Sequence, residues 1–114
     1  HGLVDREGVK KILDNSHASI LTSKIETFGV CVIESLAAGR PVIATKCGGP
    51  EETIDKGDGY LVDVHTKENV SGAMTNLINN YSTFNSDAIS KNCKKRFASE
   101  NIAGQLTKLY QSVL

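Results

Sequence analysis

The sequence lacks several features that would have declared a function on their own. Thirteen basic residues balance thirteen acidic ones, so no overall field draws the chain to nucleic acid or to an anionic membrane, and any binding site has to be local. No segment approaches the ~20 apolar residues of a membrane span, and no signal peptide opens the chain. Cysteine is scarce. Cys31, Cys47 and Cys93 are odd in number and stand at no metal-ligand spacing, which reads as reduced thiols in an intracellular protein. There is no internal repeat, heptad run or low-complexity segment. An initiator methionine is also absent: His1-Gly2-Leu3-Val4 reads as the tail of a strand, as if cut from a longer protein. A length of 114 residues suits one core, so residues 1–114 are expected to form a single, partial domain.

What is present alternates between strand and helix. Asp5 is a plausible N-cap for a helix to about Asn15, with Val9, Ile12 and Leu13 on one face. Ala18 to Leu21 and Val42 to Thr45 are short, nearly continuous apolar runs, as expected of parallel strands covered on both faces. Between them an apolar helix from Phe28 to Ala38 stops at Gly39, with Pro41 just beyond. Cys47 to Glu52 is a turn cluster opening a short helix, and a third strand follows at Tyr60 to Val62. From Thr66 the periodicity is helical only: Val70, Ala73, Met74, Leu77 and Ile78 form one face, with Met74 as core. Ile89, Cys93 and Phe97 mark a second helix, and Ile102, Leu106, Leu109, Tyr110 and Val113 a third. The stretch from Ser82 to Asp87 is the one loose joint. This order predicts an α/β fold, a Rossmann-like doubly wound parallel sheet with C-terminal helices. Ligands of such sheets bind at the carboxyl ends of the strands, here Thr22 to Thr27, Lys46 to Glu52 and Asp63 to His65.

One residue breaks the apolar pattern. Glu34 falls within a helix that is otherwise hydrophobic nearly all round, and a carboxylate among apolar neighbours costs several kcal/mol unless paired or hydrogen-bonded. A polar ligand would compensate it. Glu26 precedes the same helix, whose first amides, predicted at Thr27, Phe28, Gly29 and Val30, would be free donors for an anion. Gly29 lets a ligand approach the backbone closely. Glu34 lies about six residues beyond the helix start, or ~9 Å at 1.5 Å per residue. Two carboxylates so placed could accept hydroxyl hydrogen bonds at opposite ends of an extended ligand, such as a nucleotide with a sugar attached.

The run Glu26-Thr-Phe-Gly-Val-Cys-Val-Ile-Glu34, then Ser-Leu-Ala-Ala-Gly-Arg-Pro-Val-Ile-Ala-Thr and Gly48-Gly49-Pro-Glu-Glu52, resembles the donor-binding signature of retaining glycosyltransferases of group 1, family four. The resemblance covers roughly the first eighty residues and implies the C-terminal, donor-binding part of a GT-B enzyme. It implies that Glu34 accepts hydrogen bonds from the ribose of a nucleotide-diphosphate sugar, and that Glu26, the candidate catalytic residue, contacts the transferred sugar without acting as a nucleophile. Backbone around Thr27, Phe28, Gly29 and Val30, with the Gly48-Gly49 loop, would complete the substrate site. No cofactor or metal is implied. The acceptor, a carbohydrate or lipid-linked alcohol, would sit on an N-terminal domain, so the chain alone is expected to transfer little or no sugar. Thr27 stands where many members carry proline, and Cys47 where a small aliphatic residue is common. A cytoplasmic location is implied, with peripheral contact at the inner membrane face as a lesser option.

Plainer readings stand beside these. Glu34 could pair with a basic residue; Gly48 and Gly49 could serve only turn geometry; Glu52 could favour only the start of its helix. His17 reads as structural or exposed, and His65 as a minor candidate for donor contact. Lys91, Lys94, Lys95 and Arg96 read as a solvated helix face. A noncatalytic sugar-nucleotide-binding module would retain the same residues as the enzyme. A glycoside hydrolase would need its two carboxyl groups about 5 to 9.5 Å apart across one bond, which suits a loop-and-helix pair beside an anion-binding helix start less well.

Overall fold

The computed structural model describes residues 2–63 and 66–114. Three parallel strands, β1 (Ser19–Leu21), β2 (Val42–Thr45) and β3 (Gly59–Val62), pair in the order β1-β2-β3. Ser19 pairs with Val42, and Val42 with Gly59. The connections are helical: α1 (Arg6–Asp14) leads into β1, α2 (Val30–Ala37) links β1 to β2, and α3 (Gly49–Thr53) links β2 to β3. Then come α4 (Lys67–Asn79), a 3₁₀ turn at Tyr81–Thr83, α5 (Ser86–Phe97) and α6 (Ser99–Val113). The expected alternation is present. Asp5, as expected, caps α1 by accepting from the amide of Gly8, and Thr66 caps α4 by accepting from the amide of Asn69.

β2 is the centre of the fold, and all four of its residues are buried. Strand side chains alternate between faces, so Val42 and Ala44 pack with Val32, Leu36, Ile89 and Cys93 of α2 and α5. Ile43 packs with Ala73 and Leu77 of α4. Helices therefore cover both faces of the sheet, the doubly wound arrangement. Side-chain hydrogen bonds lock α5 to α2: Ser90 Oγ donates to the Ala37 carbonyl at 2.7 Å and Ser86 Oγ to the Gly39 carbonyl at 2.9 Å. Arg40 donates to the carbonyls of Leu13 and Asp14 at the end of α1.

Several expectations are corrected. β1 is not covered on both faces; it is an edge strand in this sheet, and Ile20 is 46% exposed. Gly2, Leu3 and Val4 lie in no strand, while His1 is outside the described residues. Met74 and Ile78 are exposed rather than core, because α4 turns only the narrower Ala73–Leu77 line toward the sheet. α6 has no buried residue at all, so the stripe of Ile102, Leu106, Leu109, Tyr110 and Val113 faces outward. The supposed loose joint is pinned: Phe84 packs against both core clusters, and Asn85 caps α5 through the amide of Ala88.

Candidate functional site

The carboxyl ends of β1 and β2 run into two loops that are bound to each other. The Glu26 amide donates to the Cys47 carbonyl at 2.9 Å, and the Gly49 amide donates to the Glu26 carbonyl at 2.8 Å, making an isolated parallel bridge between Glu26 and Gly48. Glycine is required on the second loop. A Cβ on Gly49 would come within 2.4 Å of the Phe28 backbone, and one on Gly48 within 2.5 Å of the Glu26 carbonyl oxygen. Turn and packing geometry requires glycine at both positions. The loop is held from within by Glu51, whose Oε2 accepts the amides of Cys47 at 3.1 Å and Gly48 at 3.0 Å. Sequence reasoning fixed on Glu52 and passed over Glu51. The signal was there, since Glu51 occupies the third helical position after the Gly48 cap, where a glutamate reaches back to cap-region amides.

α2 begins two residues later than its apolar pattern suggests. Its N-cap is Gly29, in the left-handed region at φ 76°, where a residue bearing a Cβ is strained. The free donors shift accordingly. Among the described residues, none of the amides of Thr27, Phe28, Gly29, Val30 and Cys31 meets an acceptor. Thr27, Phe28 and Val30 are exposed and Gly29 is buried, so a run of main-chain donors borders the surface at the positive end of a helix.

Glu34 departs most from expectation. It is exposed, not embedded in a core, because α2 buries only Val32, Ser35 and Leu36 and turns Val30, Cys31 and Glu34 outward. The desolvation argument for a compensating ligand therefore fails, and no salt bridge to Glu34 exists among the described residues. What replaces that argument is position. Glu26, half-buried, and Glu34 flank Cys31, whose thiol is pushed up by burial first, then by Glu26, with a smaller push from Glu34. Glu34 and Cys31 are turned outward from α2, Glu26 is half-buried ahead of the helix, and the free amides lie between the two carboxylates along the chain.

A cleft of about 530 Å³ opens beside Glu34 between α1, α2 and α5, lined also by Arg6, Val9, Lys10, Asp14 and Lys94. Sequence reading did not link α1 to the site. Lys10 pairs with Asp14 there, while Arg6 and Lys94 bring further positive charge. A second opening, of about 490 Å³, lies toward α4 beside Thr22, Lys24, Thr45, Lys67 and Met74, which gives the exposed Met74 its setting. His17 is exposed and lies edge-on to Tyr81 at 5.7 Å; His65 lies outside the described residues. Lys91, Lys94 and Lys95 are exposed as foreseen, but Arg96 turns inward onto α3.

A parallel sheet covered by helices on both faces, with a glycine-capped helix after its first strand, is an open α/β fold. The chain belongs to the group 1 glycosyl transferases, whose family model matches residues 1–96. It is 30% identical over 112 residues to N-acetyl-alpha-D-glucosaminyl L-malate synthase of Bacillus anthracis, covering 96% of this chain and 29% of that protein. It is 34% identical over 92 residues to a probable sucrose-phosphate synthase of Thermosipho melanesiensis, covering 80% of this chain and 21% of that protein. Among solved structures it is similar to sucrose-phosphate synthase from Thermosynechococcus elongatus (27% identical, TM-score 0.80, 99% of this chain and 29% of that one). Anabaena HepE in complex with UDP-glucose shares the fold at 22% identity, with TM-score 0.80, over 96% of this chain and 31% of that one. The architecture is that of the GT-B enzymes, and the chain spans less than a third of the length of these relatives.

Proposed function

We propose that this chain supplies the donor-binding part of a retaining glycosyltransferase that moves a sugar from a nucleotide-diphosphate sugar to an alcohol acceptor. The observation that carries this reading is the succession along one segment of half-buried Glu26, the amides of residues 27–31 without a protein acceptor among the described residues, and exposed Glu34. Phosphate oxygens suit those amides, where main-chain N–H groups and the helix dipole favour negative charge. Glu34, at the mouth of the cleft shared with Arg6, Val9 and Lys10, is assigned the ribose hydroxyls, with the base extending into that cleft. Glu26, on the other side of the helix start, is assigned hydroxyls of the sugar. Neither carboxylate has a hydrogen-bond or ion-pair partner among the described residues, so neither has to be stripped of one when ligand arrives.

In this reading Glu26 orients the sugar and is no nucleophile; the donor phosphate helps deprotonate the acceptor during a front-face displacement. No metal is assigned a role. HepE, which shares the fold, is solved in complex with UDP and with UDP-glucose, which supports a nucleotide sugar as the ligand class. The acceptor belongs to a separate N-terminal domain, and a cytoplasmic setting, with or without contact to the inner membrane face, follows from the family resemblance alone.

Calorimetry on the full-length protein tests the division of roles. Glu34→Ala should weaken a nucleoside diphosphate by about 10- to 100-fold, the worth of one or two hydrogen bonds to a charged group at roughly 1.5–3 kcal/mol. Glu26→Ala should leave the nucleoside diphosphate within about twofold and weaken only the sugar nucleotide. Equal loss of the free nucleoside diphosphate in both variants would contradict the assignment.

A further inference from the structure

The C-terminal end of α5 reaches the end of α3 and the residue before the cap of α2, and the basic helix face foreseen from sequence loses one member to this contact. Arg96 Nη1 donates to the Thr53 carbonyl at 3.1 Å and Nη2 to the Glu52 carbonyl at 2.6 Å, and the same guanidinium pairs with Asp55 at 2.7 Å. Its side chain is 26% exposed. The carbonyls it takes are among those left without intrahelical donors at the end of α3. The next residue, Phe97, lies under the guanidinium at 4.9 Å and meets Phe28 edge-on at 6.2 Å. Phe28 immediately precedes the Gly29 cap of α2. One two-residue segment therefore touches the end of α3 and the start of α2.

We propose that Arg96 and Phe97 form a brace that sets the two donor loops against each other, Arg96 being a positioning residue for the Gly48-Gly49 loop; this rests on the donor-site reading above. The reason is the length of α3. Five residues make about 7.5 Å of helix, far below what is stable alone in water. Such an element is fixed by its ends. Its N-terminal end carries Gly49, whose amide ties the second loop to Glu26, and Glu51, which holds that loop from within; its C-terminal end is held by the Arg96 fork. α5 is itself locked to α2 by Ser90 and Ser86, so the fork refers the position of α3 to the same body that carries Glu34. A planar fork on two carbonyls and a carboxylate has no substitute in lysine, which offers a point charge.

The full-length protein carrying Arg96→Lys provides the test, with Phe97→Leu as a milder second variant that keeps the arginine. In Arg96→Lys, amide exchange at Cys47, Gly48 and Gly49 should speed up relative to β2. The KM for a sugar nucleotide should rise about tenfold, the cost of a misplaced loop, while nucleoside diphosphate affinity moves less than about twofold. Phe97→Leu should shift both readouts in the same direction by less. Unchanged exchange and unchanged KM in Arg96→Lys would overturn the brace, as would equal losses for free nucleoside diphosphate and sugar nucleotide. If the unaltered protein binds no sugar nucleotide, the donor reading fails separately. Exchange then decides the brace alone: faster exchange supports it and unchanged exchange overturns it.

Discussion

α2 and α6 both present apolar side chains to solvent, yet they do so for opposite reasons. α2 is apolar along nearly its whole length and exposes Val30 and Cys31 only on the face that also carries Glu34 and adjoins the free amides. Its other face, with Val32 and Leu36, is buried in the core against β2. α6 has a regular stripe, from Ile102 through Leu106 and Leu109 to Val113, and none of it is buried. Periodicity identifies which face of a helix is apolar; it does not say what covers that face. The irregular helix is the one anchored in the core, and its exposed residues surround polar groups suited to a ligand.

The contrast can be tested by removing side chains from each region. Leu36→Ala in the 114-residue chain should have the largest effect, about 2–5 kcal/mol in urea denaturation, because a fully buried leucine leaves a cavity between α2 and β2. A cost below about 1 kcal/mol would mean that the α2 core is looser than its burial implies. Asp58 gives a smaller effect with a pH signature. It is 4% exposed and accepts from the Asp55 amide at 3.2 Å and from Asn92 at 3.4 Å. Burial raises its carboxyl above the ordinary 3.8, and nearby Asp55 adds to the rise, while those two hydrogen bonds and, least, Arg96 oppose it. The native state therefore binds this proton more tightly than the unfolded chain. Its contribution to stability falls as pH climbs from 3.8 through the raised value, and the deficit is complete at neutral pH. Asp58→Asn should accordingly raise the melting temperature at pH 7, with the gain vanishing below about pH 3.8; a gain that grew toward low pH would reverse the sign of the argument. Leu109→Ala should do least, within about 0.5 kcal/mol, and a loss near that of Leu36→Ala would show that the α6 stripe is packed after all.

Much of the fold was legible because its elements carry local signals. Asp5 and Thr66 cap their helices as written, Gly39 ends α2, and the buried run of β2 betrays a central parallel strand. The site was legible through its motif, and less so through its physics. Glu34 drew attention for a reason that does not hold, since a helix position flanked by apolar residues in sequence can still face solvent when only three of its eight residues are buried. Gly48 and Gly49 were recognisable as turn residues, but the closeness of Phe28 and Glu26 that demands them is a contact between loops more than twenty residues apart. Arg96 and Phe97 lie farther off still. Nothing in a run of basic residues tells that one of four turns inward to two carbonyls more than forty positions earlier.

Cys31 offers the most direct test of the central claim, because it sits between the two carboxylates on the exposed face of α2. Labelling of the full-length protein with a small thiol reagent at pH 8, read by peptide mass mapping at Cys31 with buried Cys93 as the internal reference, gives its accessibility with and without ligand. A donor held by Glu26, the amides of α2 and Glu34 should slow the modification of Cys31 at least about tenfold at saturating sugar nucleotide, following occupancy of the site. An unchanged labelling rate at saturation would place the ligand elsewhere and contradict the account.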